Sequence, residues 1–326
     1  MPTSTIDEQL TKYLTDAHAI EQQALAQMRA APRIAGSPQL AEIFRGHLVE
    51  TEEQERTVRA RLEARGAKPS KVKEAVMAAG GLGFVLFAKS QPDTPGKLVT
   101  HGYSYEHLEI GSYELLARVA ARAGDQETVD AAQRIRGQEQ AMADRLAGAF
   151  DTAAEASLKD KGAEDVKQDV LKYLADAHAL EAQAVGLLKK GQKIAGDPEI
   201  AQAYSEHLEE THEHSRRVEE RLQALGGSPS KLKDAALRLG SLNWGMFFQA
   251  QPDTPGKLAA FAFAFEHLEI GGYEQLKRVA ARAGDQDTVT LAESILAQER
   301  AAAAKVAASF DRAVAASLEA QGVAAG

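Results

Sequence analysis

The sequence predicts an all-α protein made of two tandem four-helix bundles, and three observations carry the prediction. First, one block is written twice: Asp16-Ala-His-Ala returns 160 positions later as Asp176-Ala-His-Ala, and Glu106-His-Leu-Glu-Ile-Gly returns from Glu266. That period is far longer than the 20–50 residues of a solenoid repeat, so each copy is a whole domain, 1–162 and 163–326. Second, alanine, glutamate, leucine, lysine and arginine dominate while aromatic residues are only 6%, a bias towards side chains that lose little rotamer freedom in a helix. Third, each copy parses into four long segments with apolar residues at helical spacing.

In the first copy, the first helix spans residues 6–30, with Leu10, Leu14, Ala17, Glu21, Leu25 and Met28 on one stripe. A break at 31–37 ends in Ser37-Pro38, an N-cap followed by proline at the first helical position. The second helix follows to Arg65 and stops at Gly66, a natural C-cap. A long connection holds a basic stretch, an apolar stretch at 80–88 and the Gln91-Pro-Asp-Thr-Pro-Gly turn. The third helix runs from Pro95 to before Gly124, and Asp125 caps a fourth that continues to Lys161. The second copy repeats these signals at Asp197-Pro198, Gly226, Gly256, Gly284 and Asp285. Short turns make hairpins of helices one and two and of three and four. The long two-to-three connection makes the crossover of a ferritin-like bundle.

Composition excludes several classes. A net charge of −9 argues against nucleic acid as a partner, because such a protein needs a basic face to displace counterions. The chain has no cysteine, which removes disulfides, iron–sulfur clusters and thiol catalysis. No Gly-rich phosphate loop or nucleophile elbow appears. The N-terminus lacks a signal-peptide pattern, and the longest nearly uncharged run, 75–88, is too short to span a bilayer. These features predict a cytoplasmic protein with no membrane partner.

The chemistry lies in carboxylates placed where a core should be. Glu139 shares a stripe with Ile135, Met142, Leu146 and Phe150, and its twin Glu299 with Ile295, Val306 and Phe310. Glu106 and Glu109 share a face with Tyr113; Glu266 and Glu269 extend the apolar run at 258–265 and share a face with Tyr273. Glu21 and Glu181 supply the first helix, Glu50 and Glu210 the second. Carboxylates converging without cations repel one another and lose solvation, and a bound metal pair removes both penalties. On the second helix Glu210 is followed at i+4 by His214, whereas Glu50 is followed by Gln54. An imidazole is the better ligand, so the second bundle is the better equipped. His18, His178, His47 and His207 are assigned hydrogen-bonding support or a satisfied place in the core rather than direct ligation, and His107 and His267 a packing or surface role.

At Asp16-Ala-His-Ala-Ile-Glu21, Glu206-His-Leu-Glu-Glu210-Thr, Glu106-His-Leu-Glu-Ile-Gly-Ser-Tyr113 and Gln138-Glu139, the chain resembles the ferritin-like YciE/YciF family. The resemblance implies a di-metal centre of iron or manganese in each bundle and a link to stress responses. It also implies that the fused bundles form an intramolecular pseudo-dimer. The sequence departs from the family pattern at Ala143 and Ala303, where a second acidic residue often stands. That leaves one ligand per site on the fourth helix, with Glu109 and Glu269 making up the loss. The expected function is oxygen or peroxide chemistry, or metal sequestration, at Glu21, Glu50, Gln54, Glu106, Glu109 and Glu139 and at Glu181, Glu210, His214, Glu266, Glu269 and Glu299. The competing expectation is a non-enzymatic stress or scaffold protein whose acids are structural. The apolar connections at 80–88 and 239–248, the latter with the single tryptophan Trp244, are expected to cap the bundles or join the halves.

Overall fold

The computed structural model describes residues 4–229 and 254–323. Among these it contains eleven α-helices and no strand, in two compact units that part between Ser157 and Leu158. No described helix is long and apolar enough to cross a membrane.

In the first unit, α1 (Ile6–Ala30) opens on a capping box in which Thr5 and Glu8 satisfy each other's backbone N–H. It ends in a single 3-10 turn, Ala31–Arg33. Gly36 then adopts φ 76°, and a Cβ there would lie 2.4 Å from the Pro95 ring. Only glycine both turns the chain left-handed and clears that proline, and Gly196 repeats the arrangement against Pro255. Ser37 caps α2 (Pro38–Ala64) through the Leu40 N–H.

The chain between the hairpins is not a loop. It forms α3 (Lys71–Ser90), which packs along α1. Gly81 permits the approach, since a Cβ there would sit 2.8 Å from the Gln23 carbonyl. The corresponding stretch at 239–248, with Trp244, lies outside the described residues.

Helix α4 (Thr94–Arg122) packs against α5 (Gln126–Ala147). The fourth sequence helix is two helices here: Gly148 and Ala149 break it, and α6 (Phe150–Leu158) follows. The break lets Ser157 Oγ accept from the Gly96 N–H at 2.9 Å, one of the donors that a helix N-terminus leaves open.

The second unit repeats this plan with α7 (Ala163–Ile194), α8 (Pro198–Ala224), α9 (Thr254–Ala283), α10 (Gln286–Ala308) and α11 (Phe310–Ala320). Ser317 there accepts from Gly256 at 2.8 Å. In the first unit Met28, Leu40, Phe44, Leu98, Met142, Leu146 and Phe150 form the apolar core, each worth about 1.5–3 kcal/mol of burial. Farther along the same helices that core turns polar.

Candidate metal centre

Four helices of each unit deliver the polar cluster. In the first, α1 places Glu21, α2 His47 and Gln54, α4 Glu106 and Glu109, and α5 Glu139; none is more than 1% exposed. In the second, Glu181, His207, His214, Glu266, Glu269 and Glu299 come from α7, α8, α9 and α10 and are likewise buried.

The histidine in each second helix sits at the middle of the cluster. His47 Nε2 lies 3.2 Å from Glu106 Oε2 and 3.3 Å from Glu139 Oε2. His207 Nε2 lies 3.1 Å from Glu266 Oε2 and 3.5 Å from Glu299 Oε2. The other nitrogen of each ring is tied to a glutamate three residues on: His47 Nδ1 to Glu50 Oε2 at 2.9 Å, His207 Nδ1 to Glu210 Oε2 at 3.0 Å. An imidazole that donates from Nδ1 to a carboxylate presents Nε2 in a set orientation, as a metal-binding histidine requires.

Ten of the twelve expected residues are buried at the cluster, but the second-helix acids do not enter it. Glu50 stays one-third exposed and its Oε2 takes a 2.5 Å ion pair from Arg145 on α5; Glu210 is similarly exposed. The His47 hydrogen bond, helped by Arg145, lowers the Glu50 pKa to about 2 against a smaller opposing effect of burial. The inward position on α2 belongs to His47, to which the sequence had assigned only support. Its signal was present in the sequence: Phe44, His47, Thr51, Gln54 and Val58 follow the helical stripe, and Glu50 lies off it. His18 lies 2.8 Å from Glu55 rather than in the cluster. His107 packs on Tyr103 and bonds its carbonyl oxygen at 2.7 Å.

Protein partners do not satisfy this cluster. Both carboxylate oxygens of Glu106, Glu109 and Glu139, Oε2 of Glu21, Oε1 of Gln54 and Nε2 of His47 are buried without a partner in hydrogen-bonding geometry. In the second unit the same holds for both oxygens of Glu269 and Glu299, for Oε2 of Glu181 and Glu266, for His207 Nε2 and for His214 Nδ1. Buried polar atoms are normally paired, so this many orphans around one point fit a cation. Tyr113 donates to Glu21 Oε1 and Tyr273 to Glu181 Oε1, which leaves the second oxygen of each carboxylate facing inward.

Electrostatics agree. Burial raises the Glu21 pKa to about 8, only partly offset by the Tyr113 hydrogen bond. Burial and then the Glu139 charge push Glu109 well up. Burial would depress His47, yet Glu106, Glu139 and Glu50 hold it well above its usual value. The twins Glu139 and Glu299 part ways. Both are desolvated, but Glu139 has only His47 beside it and is raised, whereas His207 and His214 together hold Glu299 low.

Donor atoms of His47, Glu106, Glu109 and Glu139 lie within 4.8 Å of one another, as do those of His207, Glu266, Glu269 and Glu299. A third group, Glu181, His214 and Glu299, exists in the second unit. Oxygen-rich sets with one or two imidazoles and no thiolate suit manganese and iron.

The chain is similar both to a family model and to known proteins. A family model described as a domain of unknown function, DUF892, matches residues 5–159 and again 167–319. The protein YciF of Escherichia coli (strain K12) is 27% identical over 137 residues, covering 39% of this chain and 80% of that protein. No solved structure matches.

Proposed function

The chain belongs to the DUF892 family, carried in both halves, and on that premise we propose that each bundle is a ferritin-like, carboxylate-rich metal centre holding iron or manganese. The observation that carries the proposal is the set of buried carboxylate and imidazole atoms without protein partners. The reading of these acids as merely structural predicts protein donors for their oxygens, and Glu109 and Glu269 have none.

Glu106, Glu109, Glu139 and His47 would hold metal in the first unit, and Glu266, Glu269, Glu299 and His207 in the second. Glu21 and Glu181 close the other side of each cluster, each held in place by its tyrosine. Glu50 and Glu210 orient the imidazoles rather than ligate. A bound iron or manganese pair would supply a redox couple able to react with oxygen or peroxide, or would simply be sequestered. The protein's own contribution is a dry pocket of anionic oxygens that neutralises multivalent charge and excludes water. That chemistry matches a role in oxidative or general stress.

Anaerobic titration of the metal-free protein with ferrous iron, followed by metal analysis, tests the proposal. Stoichiometric retention is expected, with a change in near-ultraviolet absorption on admitting oxygen. The double variant Glu139→Ala, Glu299→Ala should lose the metal while keeping its helical circular dichroism. Wild-type protein that emerges from gel filtration without bound iron or manganese would overturn the proposal.

A further inference from the structure

The duplication allows the two centres to be compared atom for atom, and they differ at one donor. The His47 and His207 groups are equivalent: the same residue types, the same imidazole orientation and distances to the two carboxylates that agree within 0.2 Å. The other side of the cluster is not equivalent. In the second unit His214 Nδ1 lies 2.8 Å from Glu299 Oε1 and 3.7 Å from Glu181 Oε2. Its Nε2 meets Gln298 Oε1 at 3.0 Å. With Gln298 accepting the Nε2 proton, the buried Nδ1 is turned towards both carboxylates, where it pairs with Glu299 and can serve as a ligand atom beside them.

In the first unit the same position is Gln54, equally buried. Its Nε2 donates to Gln138 Oε1 at 3.3 Å, so the orienting glutamine is retained and the imidazole is lost. What remains is a neutral amide oxygen, buried without a hydrogen-bond partner. Glu21, like Glu181, offers a single oxygen, because a tyrosine occupies the other, so the difference rests on Gln54 alone. Amide carbonyls suit magnesium, calcium and manganese, whereas imidazole adds affinity for iron, cobalt and zinc.

From this difference, and resting on the metal-centre reading above, we propose that the chain binds transition-metal ions unequally: a single ion in the first unit and a pair in the second. The single ion sits at His47, Glu106, Glu109 and Glu139. The pair occupies His207, Glu266, Glu269 and Glu299 together with Glu181, His214 and Glu299, and the Glu299 carboxylate is shared between its two positions. The first unit is therefore mononuclear for ions that prefer nitrogen, and only the second can place two such ions side by side. Chemistry that needs an adjacent metal pair is confined to the second unit.

The test is cobalt(II) titration of the chelator-stripped full chain, followed by visible absorption and by ion counting in native mass spectrometry. Three tightly held ions per chain are expected, one for each donor group among the described residues. His214→Gln, which installs the first unit's own residue, should lose one ion. Gln54→His should gain one, since Gln138 stands ready to accept its Nε2 proton. Helical circular dichroism monitors folding. If His214→Gln fails to fold, the gain in Gln54→His decides alone. Equal numbers of ions in the two units of the wild-type chain, or a Gln54→His variant with an unchanged count, overturn the proposal and leave the metal-centre reading standing. No bound cobalt in any of the proteins overturns both.

Discussion

A carboxyl group buried among other carboxyl groups keeps its proton unless a cation replaces it. Glu21 is raised to about 8, Glu266 to about 7, and Glu109 and Glu269 well above the carboxylate range, chiefly by burial. A group raised on folding stabilises the fold fully below its unfolded value and loses that contribution as pH climbs through the folded value. His214, raised to about 10 by its carboxylates against the effect of burial, works in the same direction. The metal-free chain should therefore lose thermal stability steadily from about pH 5 to pH 9. Bound metal takes the protons' place and should flatten that dependence. Melting curves with and without chelator check this, and parallel pH profiles would contradict it. Tyr113→Phe should destabilise the metal-free form by about 1–3 kcal/mol in urea unfolding, because it removes a donor from a buried carboxylate. Most of the cluster was legible from the helical period, which turns Glu21, Glu106, Glu109 and Glu139 inward along with their apolar neighbours. On α2 the same period puts His47 on the stripe of Phe44, Thr51, Gln54 and Val58 and Glu50 beside it. The two lie only about 60° apart on the helix, and it is Arg145 on a different helix that draws Glu50 outward. Nothing in the α2 sequence alone reports that arginine.

Among the elements, α3 was the least legible, and glycine is the reason. Gly80, Gly81 and Gly83 lie within twenty helical residues, and each costs about 1 kcal/mol relative to alanine in a helix interior. Local propensity therefore favours a loop, and the helix depends on its packing against α1. The glycines are not equivalent. A Cβ at Gly81 meets the Gln23 carbonyl oxygen at 2.8 Å, while at Gly83 it meets nothing within 4 Å. Gly83→Ala should stabilise the chain by about 0.4–1 kcal/mol. Gly81→Leu should cost about 1–3 kcal/mol through overpacking. Equal effects of the two substitutions in urea unfolding would mean that α3 does not lie on α1 in solution. The caps, in contrast, were plain in the sequence. Asp125 accepts from the Thr128 N–H and hydroxyl and pairs with Arg61 and Arg65. Asp285 repeats the cap and pairs with Arg221. Burial opposes ionisation of Asp125, but Thr128 and Arg61 win and its pKa falls below the usual value. Its contribution is thus complete above the unfolded value and disappears only as pH falls through the lowered one. Asp125→Ala should cost about 1–2 kcal/mol at neutral pH, and the difference from wild type should shrink in acid.

At the scale of the whole molecule, two units with separate cores and unequal metal capacity should differ in how metal stabilises them. Each ion that binds only the folded state adds about 2.7 kcal/mol when its free concentration is a hundredfold above its dissociation constant. A unit holding two ions therefore gains more than a unit holding one. Without metal, near-identical helices should give the units similar melting temperatures and one broad calorimetric transition. With cobalt(II) the transition should split, and the upper component should belong to the second unit. Leu146→Ala identifies the components. Leu146 is fully buried in the first unit's core, so its truncation should weaken that unit by about 2–5 kcal/mol and shift only the lower transition. His214→Gln should pull the upper transition down towards the lower one, and Gln54→His should raise the lower to meet it. Transitions that rise together in wild type, and stay together in both variants, would mean that the two halves bind metal equally or unfold as one body. The Leu146→Ala scan separates those cases, because a core defect in a single cooperative body shifts the entire transition instead of one component.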